Sequence, residues 1–430
     1  MKPGARIAAA IEILDLVLNR FQPIANVLSD WGKAHRFAGS GDRNAIGGIV
    51  YDALRRRGSI AWAVGENTPR ALALGAASPA LGLSPEEVIA ACDGADHSPP
   101  PLTEAERIGL TRSMTEAPPL AQADVPEWLW PSFVELFGDR AVAEGQGMAE
   151  RAPADLRVNT LKATREKVLK ALNGFGAQET AYAPFGLRVA PPQGATRTPN
   201  LQAEAAFQAG WFEVQDQGSQ IAAAMTGASA RMQVLDLCAG AGGKTLALAA
   251  AMQNTGQIYA YDDDKHQLKP IFDRLKRAGA RNVQVLRAGG DAELTALGAR
   301  FDVVLADAPC TGSGTWRRRP DAKWRLRPEA LIQRQGEQRA VLERAAGLVK
   351  PGGRLVYVTC SILRQENGDQ ISAFQAAHPD FSVVPYADVW AATITSAAPP
   401  SADGRTDTLL LTPASHGTDG FFIAILKRAG

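Results

Sequence analysis

Two stretches, DAPCTGSGTW (Asp307 to Trp316) and YVTCS (Tyr357 to Ser361), each set a cysteine just after a run that reads as a buried strand. The chain has four cysteines in all, Cys92, Cys238, Cys310 and Cys360, so two of them at strand ends demand a reason. A disulfide, a metal site, a pair of core thiols, and one reaction that needs two sulfurs are the options. Unclustered cysteines in a chain with no export signal argue for reduced thiols. Zinc is disfavoured because no Cys-x-x-Cys pair occurs and His35, His97, His266, His378 and His416 are scattered. Core packing suits Cys92, inside a helical stretch, and the Cys238 thiol, beside a glycine-rich turn. For Cys310 and Cys360 together, next to Asp307 and Lys244, thiolate chemistry is the better reading. A free thiol has a pKa of about 8.5, so a cation such as Lys244, or the arginines after Trp316, would help it ionise.

The stretch VLDLCAGAGGKTLALAA is a hydrophobic strand, a glycine-rich turn and a helix start, which brings backbone amides against a ligand. A nucleoside-triphosphate loop needs four residues between its first glycine and Gly-Lys, and only Ala241 and Gly242 separate Gly240 from Gly243-Lys244. A dinucleotide fingerprint needs a glycine where Thr245 stands. S-adenosylmethionine fits better. It carries no pyrophosphate, and Asp262, ending the next strand, suits its ribose diol. Asp291, after the third strand, lies where the adenine edge would be, or caps the following helix.

Two sulfurs then acquire a use. Carbon 5 of a pyrimidine is a poor nucleophile until a thiolate adds to carbon 6 and breaks the aromaticity. The covalent intermediate must afterwards lose the carbon 5 proton and expel sulfur, a step that gains from a second catalytic group. Asp307 at the same strand end would favour cytosine at N3 and the exocyclic amine.

The elements that must position these groups follow from composition and pattern. At 430 residues and 46% apolar content, two or three domains are expected. Ile7, Ile11, Leu14, Val17, Leu18 and Phe21 recur at helical spacing and are interrupted by Glu12 and Asp15, so no membrane span or signal core is expected and a cytoplasmic monomer is. Residues 1–118 read as helices, ending near proline-rich punctuation. Residues 124–215 suit a small α+β module with strands at Arg157 to Asn159 and in GLRVA. From residue 216 the class is α/β, with strands at 232–238, 257–262, 283–289, 301–309, 354–360 and 420–428 alternating with helices. Such parallel sheets bind ligands beyond the C-terminal strand ends, the edge that carries Cys238, Cys310 and Cys360. The stretch from Ala391 to Pro413 reads as a surface excursion. A net charge of +1 argues against a general polyanion binder, so local basic runs carry more weight. These are Arg55 to Arg57 and WRRRPDAKWRLRP (Trp316 to Pro328), whose interleaved aromatics suit stacking on bases together with phosphate contact.

With FEVQDQGSQIAA, LDLCAGAGGKT, DAPCTGSGTWRRRPDAKWR, LVKPGGRLVYVTCSILRQEN and TDGFFIAILKR in that order, the chain resembles the Sun (Fmu) family of RNA 5-methylcytosine methyltransferases. The resemblance implies a Rossmann-like, S-adenosylmethionine-dependent catalytic domain, with Cys360 attacking carbon 6 and Cys310 assisting product release. It places Cys238, Ala239, Gly240, Ala241, Gly242, Gly243, Lys244, Asp262, Asp291 and Asp307 in the cofactor and base pocket. The family usually reads Ala-Pro where Gly240-Ala241 stands, a change that should loosen the loop. The first domain is similar to the NusB-type RNA-binding domain of bacterial small-subunit rRNA enzymes, which implies 16S rRNA as partner and substrate. The same chemistry on tRNA, or a non-catalytic rRNA-binding assembly factor, are the alternatives. Arg43, Arg55, Arg56, Arg57, Arg157, Asn159, Arg317, Arg319, Lys323 and Arg325 are the expected RNA contacts, and no metal is implied.

Overall fold

The computed structural model describes residues 1–20, 22–95, 97–192, 194 and 199–430. Phe21, one of the apolar positions named above, lies outside them. The chain divides into two compact units, one made of Met1–Arg151, Pro191–Thr198 and Trp316–Leu326, the other of Ala152–Ala190, Pro199–Thr315 and Arg327–Gly430.

The first unit is helical. Its helix Pro3–Asn19 buries Ile7, Ala10, Ile13, Leu14 and Val17 on one face, the spacing that a helix needs to present a continuous apolar stripe. These side chains share a core with Ile46, Ile49, Val50, Leu72 and Leu74. Chain entry into helix Pro69–Leu81 is set by Thr68, whose hydroxyl accepts from Ala71 N. Ser84 and Glu87 form a reciprocal capping box on Pro85–Ala91. Helices continue through Trp130–Phe137 and Ala141–Ala149, which group with this unit by compactness.

The Trp316 to Leu326 segment belongs to this unit, and here the structure departs from the expected base-stacking face. Trp316 is fully buried and lies parallel to Phe133, ring centroids 6.1 Å apart. The carbonyls that end helix Ser40–Arg55 have no partner within the helix. Trp324 Nε1 donates to Leu54 O at 2.6 Å, and Lys323 Nζ to Arg55 O at 2.9 Å. Burial pushes the fully buried Lys323 ammonium down to about 8, against the opposing pull of Asp124. Lys323 and Trp324 of this run thus close a helix end, and Trp316 packs in the core.

The second unit holds two sheets. The smaller contains β1 (Ala154–Val158), β2 (Gln178–Glu179), β3 (Gly186–Val189) and β4 (Phe212–Val214), antiparallel in the order β2-β3-β1-β4. Leu156, Val158, Leu187, Val189 and Phe212 form its core with Val168 of helix Arg165–Ala171. The larger contains β5 (Gln233–Asp236), β6 (Gln257–Ala260), β7 (Val283–Val285), β8 (Phe301–Asp307), β9 (Val349–Thr359), β10 (Phe381–Val384), β11 (Leu409–Leu411) and β12 (Phe421–Arg428). Its order is β10-β12-β9-β8-β5-β6-β7, with β11 paired to β12. From β9 to β7 the neighbours are parallel, while β12 runs antiparallel to β9. Near-continuous apolar runs such as FDVVLAD suit strands buried on both faces. After β5 the chain builds toward β7, then returns to β8 on the other side of β5, which opens a crevice at the C-terminal strand ends. The Ala391 to Pro413 stretch is not a plain surface excursion: Leu409, Leu410 and Leu411 are buried in β11. A three-residue strand without alternation leaves no period to read in the sequence.

Replacing Trp316 with alanine is expected to lower the unfolding free energy by about 3–5 kcal/mol, read as a shifted urea transition. An unchanged transition with weakened RNA binding would return this residue to a surface role.

Candidate active site

The parallel register of β8 and β9 sets Asp307 opposite Val358, and Ala308 N donates to Val358 O at 2.8 Å. Each strand then turns within a few residues into its cysteine. Cys310 Sγ and Cys360 Sγ come to 3.3 Å, and all four cysteines are free thiols. Gly314 N donates to Cys360 O at 2.9 Å, which folds the loop after Cys310 back over the end of β9. Pairing with Cys360, then burial, hold the Cys310 thiol well above the ordinary thiol range. A Cys310 that keeps its proton is a donor toward the Cys360 sulfur.

Beside the thiols, Lys244 Nζ donates to Asp307 Oδ2 at 2.6 Å. Burial alone would lower the Lys244 pKa, but the Asp307 carboxylate outweighs it and the net shift is upward. Lys244 therefore stays an ammonium in a site that is nearly dry, its Nζ 5.3 Å from the centre of the Phe421 ring. Lys244 stands in the first turn of helix Gly243–Ala251, the helix that follows β5.

The glycine turn has the conformation that its composition requires. Gly242 has φ +83°, and a Cβ there would lie 2.5 Å from Ile271 Cγ1. Gly240 has φ +50° with nothing within 4 Å of where a Cβ would be, so the turn faces open space. Asp262 Oδ2 accepts from Gly240 N at 2.8 Å and Oδ1 from Asp264 N at 2.8 Å. Burial raises the Asp262 pKa against those two backbone donors. Asp291 is exposed; it accepts from Tyr261 Oη at 2.8 Å and forms an ion pair with Arg344 Nη2 at 3.4 Å. Ala241 does not leave the loop slack, because Arg274 Nη1 donates to its carbonyl at 2.8 Å while Nη2 pairs with the buried Glu213 at 3.0 Å.

Three groups here were not singled out from sequence. Arg274 sits on the amphipathic helix Ile271–Ala278 and gave no signal beyond its charge. Asp236, the acid of VLDL, is buried beneath the turn; Oδ2 accepts from Thr245 Oγ1 at 2.7 Å and Oδ1 has no partner. Burial pushes its pKa up to about 7. Glu366 is fully buried next to both cysteine loops. An acid inside an otherwise apolar strand, as at Asp236, is the kind of signal that could have found it.

The expected RNA contacts divide. Arg43, Arg56 and Arg319 are exposed. Arg55 pairs with Asp52 at 2.8 Å, Arg57 with Asn67 at 2.9 Å, and Arg325 with Asp321 at 2.8 Å. Arg317 and Lys323 are buried. Arg157 is buried with Nε on Gln215 at 2.7 Å, and Asn159 is buried, donating to Gly210 O and Ala278 O at 2.8 Å. The last four are buried rather than surface contacts, and Lys323, Arg157 and Asn159 are held by partners inside their own units.

A family profile described as 16S rRNA methyltransferase RsmB/F matches residues 226–427, and one described as an RsmF/B-like ferredoxin-like domain matches residues 125–196. A probable ribosomal RNA small subunit methyltransferase B from Synechocystis is 34% identical over 322 residues, covering 72% of this chain and 68% of that protein. The Bacillus subtilis protein of the same description is 32% identical, covering 71% of this chain and 66% of its own length. The chain thus spans about two thirds of these relatives. The crystal structure of PH0851 is similar over 100% of this chain and 99% of that chain, with 29% identity and a TM-score of 0.74.

A carboxyl with a folded pKa of about 7, against about 3.9 when unfolded, favours the fold fully below the lower value. That contribution is lost as pH rises through the higher one. Asp236→Asn should therefore flatten the fall in melting temperature between these two pH values and melt no lower than wild type at alkaline pH. Thermal unfolding of the cofactor-free protein across that range decides it; a variant that melts lower at every pH would show that the carboxylate itself is required.

Proposed function

The chain belongs to the RsmB/F family of 16S rRNA methyltransferases, and from that premise we propose that it methylates carbon 5 of a cytosine in RNA through a covalent bond from Cys360 to carbon 6. We take 16S rRNA as the substrate, in keeping with the family and with the descriptions of its relatives. The observation that carries the mechanism is the pair of free thiols 3.3 Å apart. Two sulfurs at that distance can act in turn on one base, which neither a lone nucleophile nor two core cysteines on separate elements could do.

Cys360 is the attacking group. The attacking species is its thiolate, toward which a Cys310 that retains its proton can donate and beside which the Lys244 ammonium adds positive potential. Addition of that thiolate to carbon 6 moves the ring electrons toward N3 and leaves carbon 5 nucleophilic. Asp307, its side chain 31% exposed and anchored through Oδ2 on Lys244, offers Oδ1 to the exocyclic amine and so orients cytosine. In release, the carbon 5 proton leaves to a base, its bonding electrons re-form the carbon 5 to carbon 6 double bond, and the carbon 6 to sulfur bond breaks to expel the Cys360 thiolate. Cys310, whose sulfur lies 3.3 Å from that of Cys360 and which can exchange a proton, serves this step.

The residues fit S-adenosylmethionine. The turn, left-handed at Gly240 and Gly242 and open at Gly240, permits close backbone approach, and half-buried Asp262 just beyond β6 keeps lone pairs for a ribose diol. When bound, the cofactor supplies an electrophilic methyl group. Arg43, Arg56 and Arg319, the exposed members of the expected set, remain the candidates for phosphate contact.

Wild type, Cys310→Ala and Cys360→Ala incubated with unmethylated 16S rRNA and S-adenosylmethionine should differ on a denaturing gel. A protein–RNA adduct is expected only in Cys310→Ala, with Cys360→Ala inert and adduct-free. An adduct confined to Cys360→Ala would reverse the two roles. No methylation of 16S rRNA by wild type, with methylation of tRNA, would reassign the substrate.

A further inference from the structure

Next to the thiols lies a carboxylate that the mechanism does not use. Glu366 ends the short turn Arg364–Glu366 after β9 and has no exposed surface. Its Oε1 accepts from Thr311 N at 2.8 Å and from Gln338 Nε2 at 2.9 Å. Its Oε2 accepts from Thr311 Oγ1 and from Ser361 Oγ, both at 2.5 Å. Every one of these donors is a neutral group. A buried carboxylate is tolerated when several donors converge on it, yet an apolar side chain would fill the same space at less desolvation cost. The expense points to a requirement other than packing.

That requirement is visible in what the donors flank. Thr311 directly follows Cys310, and Ser361 directly follows Cys360. Gln338, on helix Pro328–Ala346, also donates to Pro309 O at 3.0 Å, so both neighbours of Cys310 are tied to the Glu366 cluster. A second layer locks the other loop. Asn367 Nδ2 donates to Ser361 O at 2.9 Å, Thr359 Oγ1 donates to Asn367 Oδ1 at 2.6 Å, and the Ser313 and Ser361 hydroxyls share a hydrogen at 2.9 Å. The two cysteines belong to different strands, 50 positions apart. Among the side chains described around them, Glu366 is the one whose two oxygens bind both cysteine loops.

We propose that Glu366 is a positioning residue, which joins the Cys310 and Cys360 loops into one unit and sets the distance between the two sulfurs. The proposal rests on the two-thiol reading above. Without the clamp the loops stay joined by Gly314 N to Cys360 O and by the Ser313 and Ser361 hydroxyls, but Thr311, next to Cys310, loses its tie to Ser361, next to Cys360, and the distance between the sulfurs is held less tightly. Attack by Cys360, which needs one sulfur, then suffers less than release, which needs both in register. A misplacement of about 1 Å can cost about a hundredfold in rate.

The test uses full-length Glu366→Gln, which keeps the shape but turns a donor toward donors, and Thr311→Val, which removes one hydroxyl and keeps the volume. The first readout is independent of RNA: diamide is added and the Cys310 to Cys360 disulfide is followed by mass spectrometry of unreduced digests. Closure at least about tenfold slower than in wild type is expected for Glu366→Gln, and slower closure in the same direction for Thr311→Val. The second readout is the adduct gel with Cys310 intact, where Glu366→Gln should accumulate the Cys360–RNA adduct that wild type clears. A merely destabilised protein would lose turnover without accumulating adduct. Wild-type closure rates in both variants, with both melting cooperatively, would overturn the clamp. If wild type forms disulfide normally but methylates no RNA, the functional reading fails while the disulfide arm still decides the positioning role.

Discussion

The arrangement depends on one register. β8 and β9 lie side by side in parallel, so that Asp307 stands opposite Val358 and both strands end at the same edge of the sheet. Side chains alternate faces along a strand, and a slip of one residue would turn Cys360 and its neighbours to the opposite face. The contact of 3.3 Å between sulfurs is a product of that register and of two short turns, and no single residue encodes it.

A dry edge that carries this much charge is stable only if each charge is answered. Lys244 is matched by Asp307, Glu213 by Arg274 and Arg277, and Asp155 by a bidentate Arg188. Two buried carboxyls have no cation against them: Glu366 is met by neutral donors, and Asp236, one of whose oxygens has no partner, has its pKa raised by burial. These pairs do more than cancel. Arg274 carries the Glu213 charge of β4 to the carbonyl of Ala241, so the small antiparallel sheet helps to hold the cofactor turn. The geometry of the turn is therefore shared between two parts of the second unit.

The run from Trp316 to Leu326 follows a different logic. Its arginines, lysine and tryptophans have the composition of a nucleic-acid surface, but the unsatisfied carbonyls at a helix end and an apolar core compete for the same groups. In the helical unit that competition is won by burial: Lys323 and Trp324 close the helix Ser40–Arg55, and Trp316 joins Phe133. Lysine stems and indole rings serve either environment, which is why pattern alone could not tell the buried Trp316 and Lys323 from the exposed Arg319.

By itself the sequence determined the class of the catalytic unit, the glycine turn and the pairing of two cysteines with Asp307 and Lys244. Those features are local: apolar runs, a turn that only small residues can make, and reactive groups at strand ends. Short strands such as Leu409–Leu411, the inward turn of Arg157, Asn159 and Lys323, and the joining role of Glu366 were decided only in three dimensions. Burial and hydrogen-bond partnership are properties of what surrounds a residue, and the partners here come from segments far apart in the chain. Sequence names the groups that can react; tertiary packing decides which of them meet, and at what distance.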